Sequence, residues 1–249
     1  MLPLPQCSNY TVKFSGANSP SPEACLFLHG FPAASREFPM QEKNQDIAAA
    51  IAQHLGMDSF VTHYRGLGLS KGRFSFIDSI EESCVVASTL VRTFDYRKVH
   101  LVGHSWGGVV ALNVFERLAS RQGNLILLSP FTVFPDRATL KQVLISLCAS
   151  ETIDFKYANM DLIVEELGKV EEKYNPQQLA SRIIEAGGKV LLIQAIHDDE
   201  VPASVNRAFC SRFPTGIEYA EIDTDHKFSR NRDQLLSMLI RKLRKHDHV

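Results

Sequence analysis

Two periodicities alternate along this chain. Short apolar, β-branched runs occur at Tyr10–Ser15, Ala24–Leu28, Ser59–His63, Val99–Val102, Leu125–Leu128, Val190–Ala195 and Ile217–Ile222. Several are almost continuously apolar, the pattern of parallel strands buried on both faces. Between them, apolar residues recur every three or four positions. Ile47, Ile51, His54 and Leu55 share one helical face, and Ile77, Ile80, Cys84, Ala87 and Val91 share another. A third helix follows Trp106 through Val109, Val110, Val114 and Leu118. The last carries Leu235, Leu236, Leu239, Ile240 and Leu243. Such stripes bury one side of each helix against a core. Strand–helix–strand alternation predicts a mostly parallel sheet with helices on both faces.

The middle of the chain breaks this rhythm. From Thr132 to about Asn175 the pattern is helical without a strand, with stripes at Leu140, Val143, Leu144 and Leu147 and at Ile163, Val164, Leu167 and Val170. Pro176 suits the first turn of a further helix that returns the chain to the sheet. The expectation is a small helical lid over 132–175, inserted into one domain that spans residues 1–249.

Composition narrows the class of protein. The 249 residues hold 45% hydrophobic and 22% charged side chains, which is ordinary globular usage. The 27 basic and 28 acidic side chains nearly cancel, so there is no surplus to hold a polyanion, and nucleic acid is not expected as a partner. No stretch approaches the ~20 apolar residues that span a bilayer. Met1–Cys7 lacks a basic region and is broken by prolines, unlike a secretory signal. The five cysteines are odd in number and lack metal-ligand spacing, which suits reduced thiols and a cytoplasmic protein. The locally basic C-terminal run Arg241–His248 reads as a solvated helix end whose cations complement the dipole.

The most informative stretch is Val99-His100-Leu101-Val102-Gly103-His104-Ser105-Trp106-Gly107-Gly108-Val109-Val110. It reads as a strand, a G-x-S-x-G turn and a helix. A serine on so sharp a turn points its hydroxyl into a cleft, beside backbone N–H groups at the helix start. The bare motif arises by chance about one time in twelve in such a chain, with Gly and Ser each near ~7%. Its place between a buried strand and an amphipathic helix makes Ser105 a candidate nucleophile. A serine hydroxyl needs a base, and a base needs an orienting acid. Asp198, Asp199 and Glu200 follow the strand at 190–195 and all remain candidates for the acid on position alone.

Here the chain resembles the α/β-hydrolase superfamily along nearly its whole length. His29-Gly30-Phe31-Pro32 looks like the oxyanion-hole loop of that family. Arg65-Gly66-Leu67-Gly68-Leu69-Ser70 looks like its R-G-x-G-x-S loop, where Arg65 would brace the loop. The resemblance implies the α/β-hydrolase fold and the chain order serine, acid, histidine. The family's D-x-x-V-P pattern selects Asp198, although Ala195 stands where a glycine is usual. His226 is the one histidine between the last strand and the last helix. The implied site is Ser105, Asp198 and His226, with the backbone N–H groups of Phe31 and Trp106 as oxyanion hole. Phe131 and Phe134, at the lid entrance, are candidate substrate contacts. His29 is expected to shape the oxyanion loop and His104 to flank the nucleophile.

The expected activity is hydrolysis of carboxylic esters of small or medium acyl groups, with a small-molecule substrate and no metal or organic cofactor. A thioesterase, amidase, peptidase or lysophospholipase would use the same groups, and a ligand-binding protein that keeps the hydrolase shell is a third possibility. A serine at the elbow, in place of aspartate, argues against dehalogenase or epoxide hydrolase chemistry.

Overall fold

The computed structural model describes residues 10–19, 21–31, 44–68, 70–150 and 153–244, without the side chains of Tyr10 and 146–150. A seven-stranded sheet runs through the molecule in the order β1-β3-β2-β4-β5-β6-β7. The strands are β1 Tyr10–Phe14, β2 Glu23–Leu28, β3 Asp58–His63, β4 Lys98–His104, β5 Gln122–Leu128, β6 Val190–His197 and β7 Ile217–Asp225. Only β1 is antiparallel, paired with β3 in a register that sets Tyr10 against His63 and Phe14 against Ser59. All other pairings are parallel. Each apolar run in the sequence is therefore a strand, and the central ones are buried along almost their whole length because helices cover both faces.

On one face lie α1 Gln45–Leu55 and α8 Arg232–Arg244, which join Ile47, Ile51, Leu235, Leu239 and Leu243 to Val61, Val102, Ile126 and Ile193 of the sheet. On the other lie α2 Phe76–Phe94, α3 Trp106–Leu118, α6 Pro176–Glu185 and α7 Ala203–Ser211. α7 has no counterpart in the sequence reading. It is a nine-residue helix that buries only Asn206, Phe209 and Cys210, too short a stripe to stand out.

Between β5 and α6 the chain forms α4 Arg137–Ser150 and α5 Met160–Lys173, as the helical stripes predict. Leu140 and Leu144 of α4 and Ile163, Val164, Leu167 and Val170 of α5 are buried in the same cluster as the sheet face beneath them. The insertion is fastened by polar contacts as well. Glu166 of α5 is buried and accepts hydrogen bonds from the Ser75 hydroxyl and from the backbone N–H groups of Phe76 (3.2 Å) and Ile77 (3.3 Å). A carboxylate there satisfies orphan donors at the start of α2 and complements the helix dipole. Phe74 also exchanges backbone hydrogen bonds with the segment before α5, donating to Asp154 O and accepting from Lys156 N, each at 2.8 Å.

Cys25, Cys84 and Cys210 are buried and unpaired, and burial pushes the Cys84 and Cys210 thiols up to about 12. They fill core positions as small hydrophobes. Cys7, the Cys148 side chain and the basic tail beyond Arg244 lie outside the described residues. Among the described residues no helix is long and apolar enough to cross a membrane.

Candidate active site

The carboxyl ends of β2, β4, β6 and β7 converge at one edge of the sheet, where open α/β sheets form their crevice. β4 ends at His104 and α3 begins at Trp106, which leaves Ser105 alone to turn the chain. Its backbone sits at φ 53°, ψ −120°, a region that costs a non-glycine residue ~1–3 kcal/mol. The strain is held by neighbours. Ser105 N donates to Leu128 O at 2.9 Å, while Ser105 O accepts from Gly108 N at 2.9 Å and Phe131 N at 3.1 Å. The flanking glycines permit the close approach. A Cβ on Gly107 would stand 2.0 Å from Leu28 O, and one on Gly30 would stand 2.9 Å from Ser105 Cβ. The segment His29–Phe31 thus runs directly against the elbow, and Trp106 opens the helix on its other side.

Asp198 and His226 meet at the ends of β6 and β7. His226 Nδ1 lies 2.9 Å from Asp198 Oδ1 and 2.8 Å from Oδ2. The same carboxylate accepts from Glu200 N (3.0 Å), Val201 N (2.7 Å) and the Gln194 side-chain amide (3.2 Å). Of the three acids that follow β6, only Asp198 therefore reaches Nδ1, while Asp199 and Glu200 line the cavity beside Ser105. Burial by itself would raise the Asp198 pKa, but the hydrogen bond and charge of His226, with the Val201 and Ser129 donors, hold it below the usual carboxylate value. Burial likewise would depress His226. The hydrogen bond to Asp198 and the charges of Glu200, Asp198 and Asp199 outweigh it and raise the imidazole above its usual value. On the far side of the ring, Nε2 lies 3.5 Å from Glu200 Oε2.

His104 ties this pair to the serine elbow. Its Nε2 lies 2.8 Å from His226 O and its ring lies 4.8 Å from the His226 ring. A carbonyl can only accept, so Nε2 carries the proton and donates it. Burial lowers the His104 pKa to about 3, so the ring stays neutral and serves as a spacer. His29 packs on Tyr64 at 4.4 Å and approaches Gly30 O at 2.8 Å, which fixes the loop before Phe31. Arg65 pairs with Glu82, in line with a bracing role.

Behind Asp198 lies a fully buried chain of polar groups that the sequence did not reveal. Gln194 also donates to Ala195 O (3.0 Å) and Val201 O (3.1 Å), and accepts from Asn206 Nδ2 (2.7 Å). Asn206 donates to Pro130 O (3.0 Å) and accepts from the Thr132 hydroxyl (2.6 Å). Gln194 stands in an apolar strand, and a single polar letter there carries no signal of its partners.

A cavity of about 280 Å³ opens beside Ser105. Phe31, Phe76, Trp106 and Phe131 supply its aromatic wall, and Leu140, Val143, Leu144 and Leu167 of the helical insertion supply its roof. Trp106 is held by a hydrogen bond from its indole N–H to Ser79 Oγ (2.9 Å). Of the two phenylalanines read as substrate contacts, Phe131 lines the cavity. Phe134 does not: it packs edge-on behind Phe131, with ring centroids 5.1 Å apart. Sequence reasoning missed Phe76, which reaches the cavity from the first turn of α2. Among the described residues no cluster could hold a metal ion.

The profile of the alpha/beta hydrolase fold family matches residues 24–147. Solved structures agree over nearly the whole chain. An alpha-beta serine hydrolase homologue from Coxiella burnetii is 18% identical, with a TM-score of 0.64 over 94% of this chain and 91% of that one. A monoacylglycerol lipase from Paleococcus ferrophilus is 15% identical, with a TM-score of 0.67 over 94% and 98% of the two chains. Est1E from Butyrivibrio proteoclasticus, solved with ferulic acid bound, is 15% identical, with a TM-score of 0.68 over 94% and 93%. No curated protein sequence matches this chain. By family profile and fold, the chain belongs to the α/β-hydrolase superfamily.

Proposed function

We propose that this protein is a serine hydrolase that cleaves carboxylic esters of small or medium acyl groups. Ser105 attacks the carbonyl carbon while His226 takes its proton. The tetrahedral intermediate collapses as His226 returns that proton to the leaving alcohol. Water then releases the acid by the reverse roles. Asp198 holds His226 in the tautomer that leaves Nε2 free to accept, and stabilises the cation that forms. The Phe31 and Trp106 N–H groups serve the oxyanion, where losing one such donor costs about 3–4 kcal/mol of transition-state stabilisation.

The observation that carries this reading is the juxtaposition of a buried Asp198–His226 pair with a strained Ser105 on the wall of an apolar cavity. Strain at a functional turn and a perturbed acid–base pair together mark a site built for chemistry. At about 280 Å³ the cavity lies at the lower edge of the ~300–1,000 Å³ span of small-molecule sites, which favours short acyl chains. The insertion that roofs it acts as the lid.

A p-nitrophenyl ester chain-length series tests the proposal, with Ser105→Ala as control. Turnover should be greatest for short and medium chains and should vanish in the variant, and a fluorophosphonate should label Ser105. Absence of both turnover and label defeats the hydrolase reading. Turnover that survives Ser105→Ala defeats the site. Thioester, peptide and lysolipid panels then separate the reactions that share this machinery.

A further inference from the structure

Among the described residues, the lining of the cavity beside Ser105 carries charge of one sign only. Among the described residues its lining is apolar or aromatic except for Ser105, Asp199 and Glu200, and it includes no lysine or arginine. Asp199 and Glu200 are exposed whereas Ser105, Trp106 and Leu144 are buried, so the two carboxylates stand at the solvent end.

Glu200 also stands beside the reacting atoms. Its Oε2 lies 3.5 Å from His226 Nε2, the nitrogen opposite the one that Asp198 holds. In a serine–histidine–aspartate hydrolase that Nε2–H is the proton delivered to the leaving group as its bond to the carbonyl carbon breaks. Whatever departs must therefore sit against Glu200. Its backbone is anchored as well. Glu200 N donates to Asp198 Oδ1 at 3.0 Å, so the acid that orients the base also anchors this residue.

We propose that Glu200, with Asp199 beside it, is a specificity-determining residue that selects esters whose leaving alcohol carries a cation and turns away anionic leaving groups. The inference rests on the hydrolase reading above and names the substrate class of that same site: acyl esters of amino or quaternary ammonium alcohols. The acyl part fills the apolar cavity under α4 and α5, while the cation faces the two carboxylates. Phe31 and Trp106 line the same space, and aromatic faces attract such cations, most of all quaternary ones. A thioester of a phosphate-bearing carrier belongs to the rejected class. A carboxylate that merely steadied the His226 cation would affect every ester equally, so the test is a ratio between substrates.

Three butyrate esters provide that ratio: butyrylcholine, its uncharged isostere 3,3-dimethylbutyl butyrate, and 3-butyryloxypropanoate. Acid release gives kcat/KM for each. The wild type should favour the cationic ester over the neutral one by about tenfold, with the anionic ester last. Glu200→Gln should shrink the cation-to-anion ratio by about tenfold or more, and Glu200→Asp should keep part of it. In the wild type, the ratio should also fall as ionic strength rises from about 0.01 to 1 M, since the Debye length drops from ~30 to ~3 Å. A cation-to-neutral ratio within twofold of one in the wild type, or a ratio untouched by Glu200→Gln, overturns the inference and leaves the hydrolase reading standing. No turnover of any of the three, with no fluorophosphonate label, defeats both.

Discussion

Two buried aspartates, Asp58 and Asp198, show what separates a carboxylate that holds a fold from one placed for chemistry. Both are buried, both accept several hydrogen bonds, and both are held below the usual carboxylate pKa. Asp58 lies at the start of β3. Burial opposes its ionisation, and Lys13, Tyr96 and Gly16 N overcome that opposition. Lys13 Nζ is 2.8 Å away, the Tyr96 hydroxyl 2.6 Å, Gly16 N 3.2 Å and Ser19 Oγ 3.2 Å. Every partner is itself an end point, so the cluster closes on itself and fastens β1 and the chain after it to the sheet. Asp198 is as well satisfied, but one partner is an imidazole whose other nitrogen faces the group beyond it. A depressed pKa is common to both; the onward connection belongs to Asp198 alone.

The largest effect that can break this contrast is on turnover. Asp198→Asn should lower kcat/KM by about 10⁴-fold through the wrong His226 tautomer. Asp58→Asn should leave kcat/KM per folded molecule within about twofold. Steady-state kinetics normalised to fluorophosphonate-labelled sites checks both, and equal losses would erase the distinction. Stability should reverse the order. Lys13 stays charged when its carboxylate is lost whereas His226 can go neutral, so at a pH where His226 is neutral Asp58→Asn should show the larger loss in urea unfolding.

A smaller effect concerns Gln194. Gln194→Leu leaves Asn206 Nδ2 short of one buried acceptor and takes one donor from Asp198. An unsatisfied buried polar group costs about 1–3 kcal/mol. kcat should fall about tenfold with KM nearly unchanged, because the orientation of His226 loosens while the cavity is untouched. A change confined to KM would show that the network shapes the cavity instead.

The smallest effects are in pH dependence. His226 must be neutral to accept a proton, and its pKa is raised, so the acidic limb of kcat/KM should have its midpoint above the ordinary imidazole value of ~6.5. Glu200→Gln removes one of the charges that raise it and should move that midpoint down. For stability the signs differ between groups. The depressed carboxyls of Asp58 and Asp198 contribute stability above the unfolded value of ~3.9, lost as pH falls through their folded values. The raised His226 contributes stability that is complete below ~6.5 and lost as pH rises through its folded value. Unfolding free energies measured from pH 2 to 9 should show Asp58→Asn flattening only the acid side.

Much of this architecture can be read from local pattern. All seven strands follow from apolar, β-branched runs, and the central ones read most clearly because strands covered on both faces cannot hide their composition. The serine elbow is legible because a sharp turn needs small residues at fixed offsets, and Gly103 and Gly107 supply them. Where several acids follow one strand, pattern runs out. Asp198, Asp199 and Glu200 are equivalent in chain position, and only the resemblance to a family singled out the first. Phe134 shows the same limit: an aromatic residue near an entrance can line a cavity or back the residue that does.

The sequence alone determined the order of the strands and of every helix but α7, and the identity of the turn that bears Ser105. These depend on periodicity and on residues only a few positions apart. The tertiary structure alone decided that Glu166 fastens the insertion to α2, that Gln194 and Asn206 stand behind Asp198, and that Glu200 faces His226 Nε2. Those pairings depend on where separate strands and helices end in space, and a buried polar side chain does not record its partner in its neighbours along the chain.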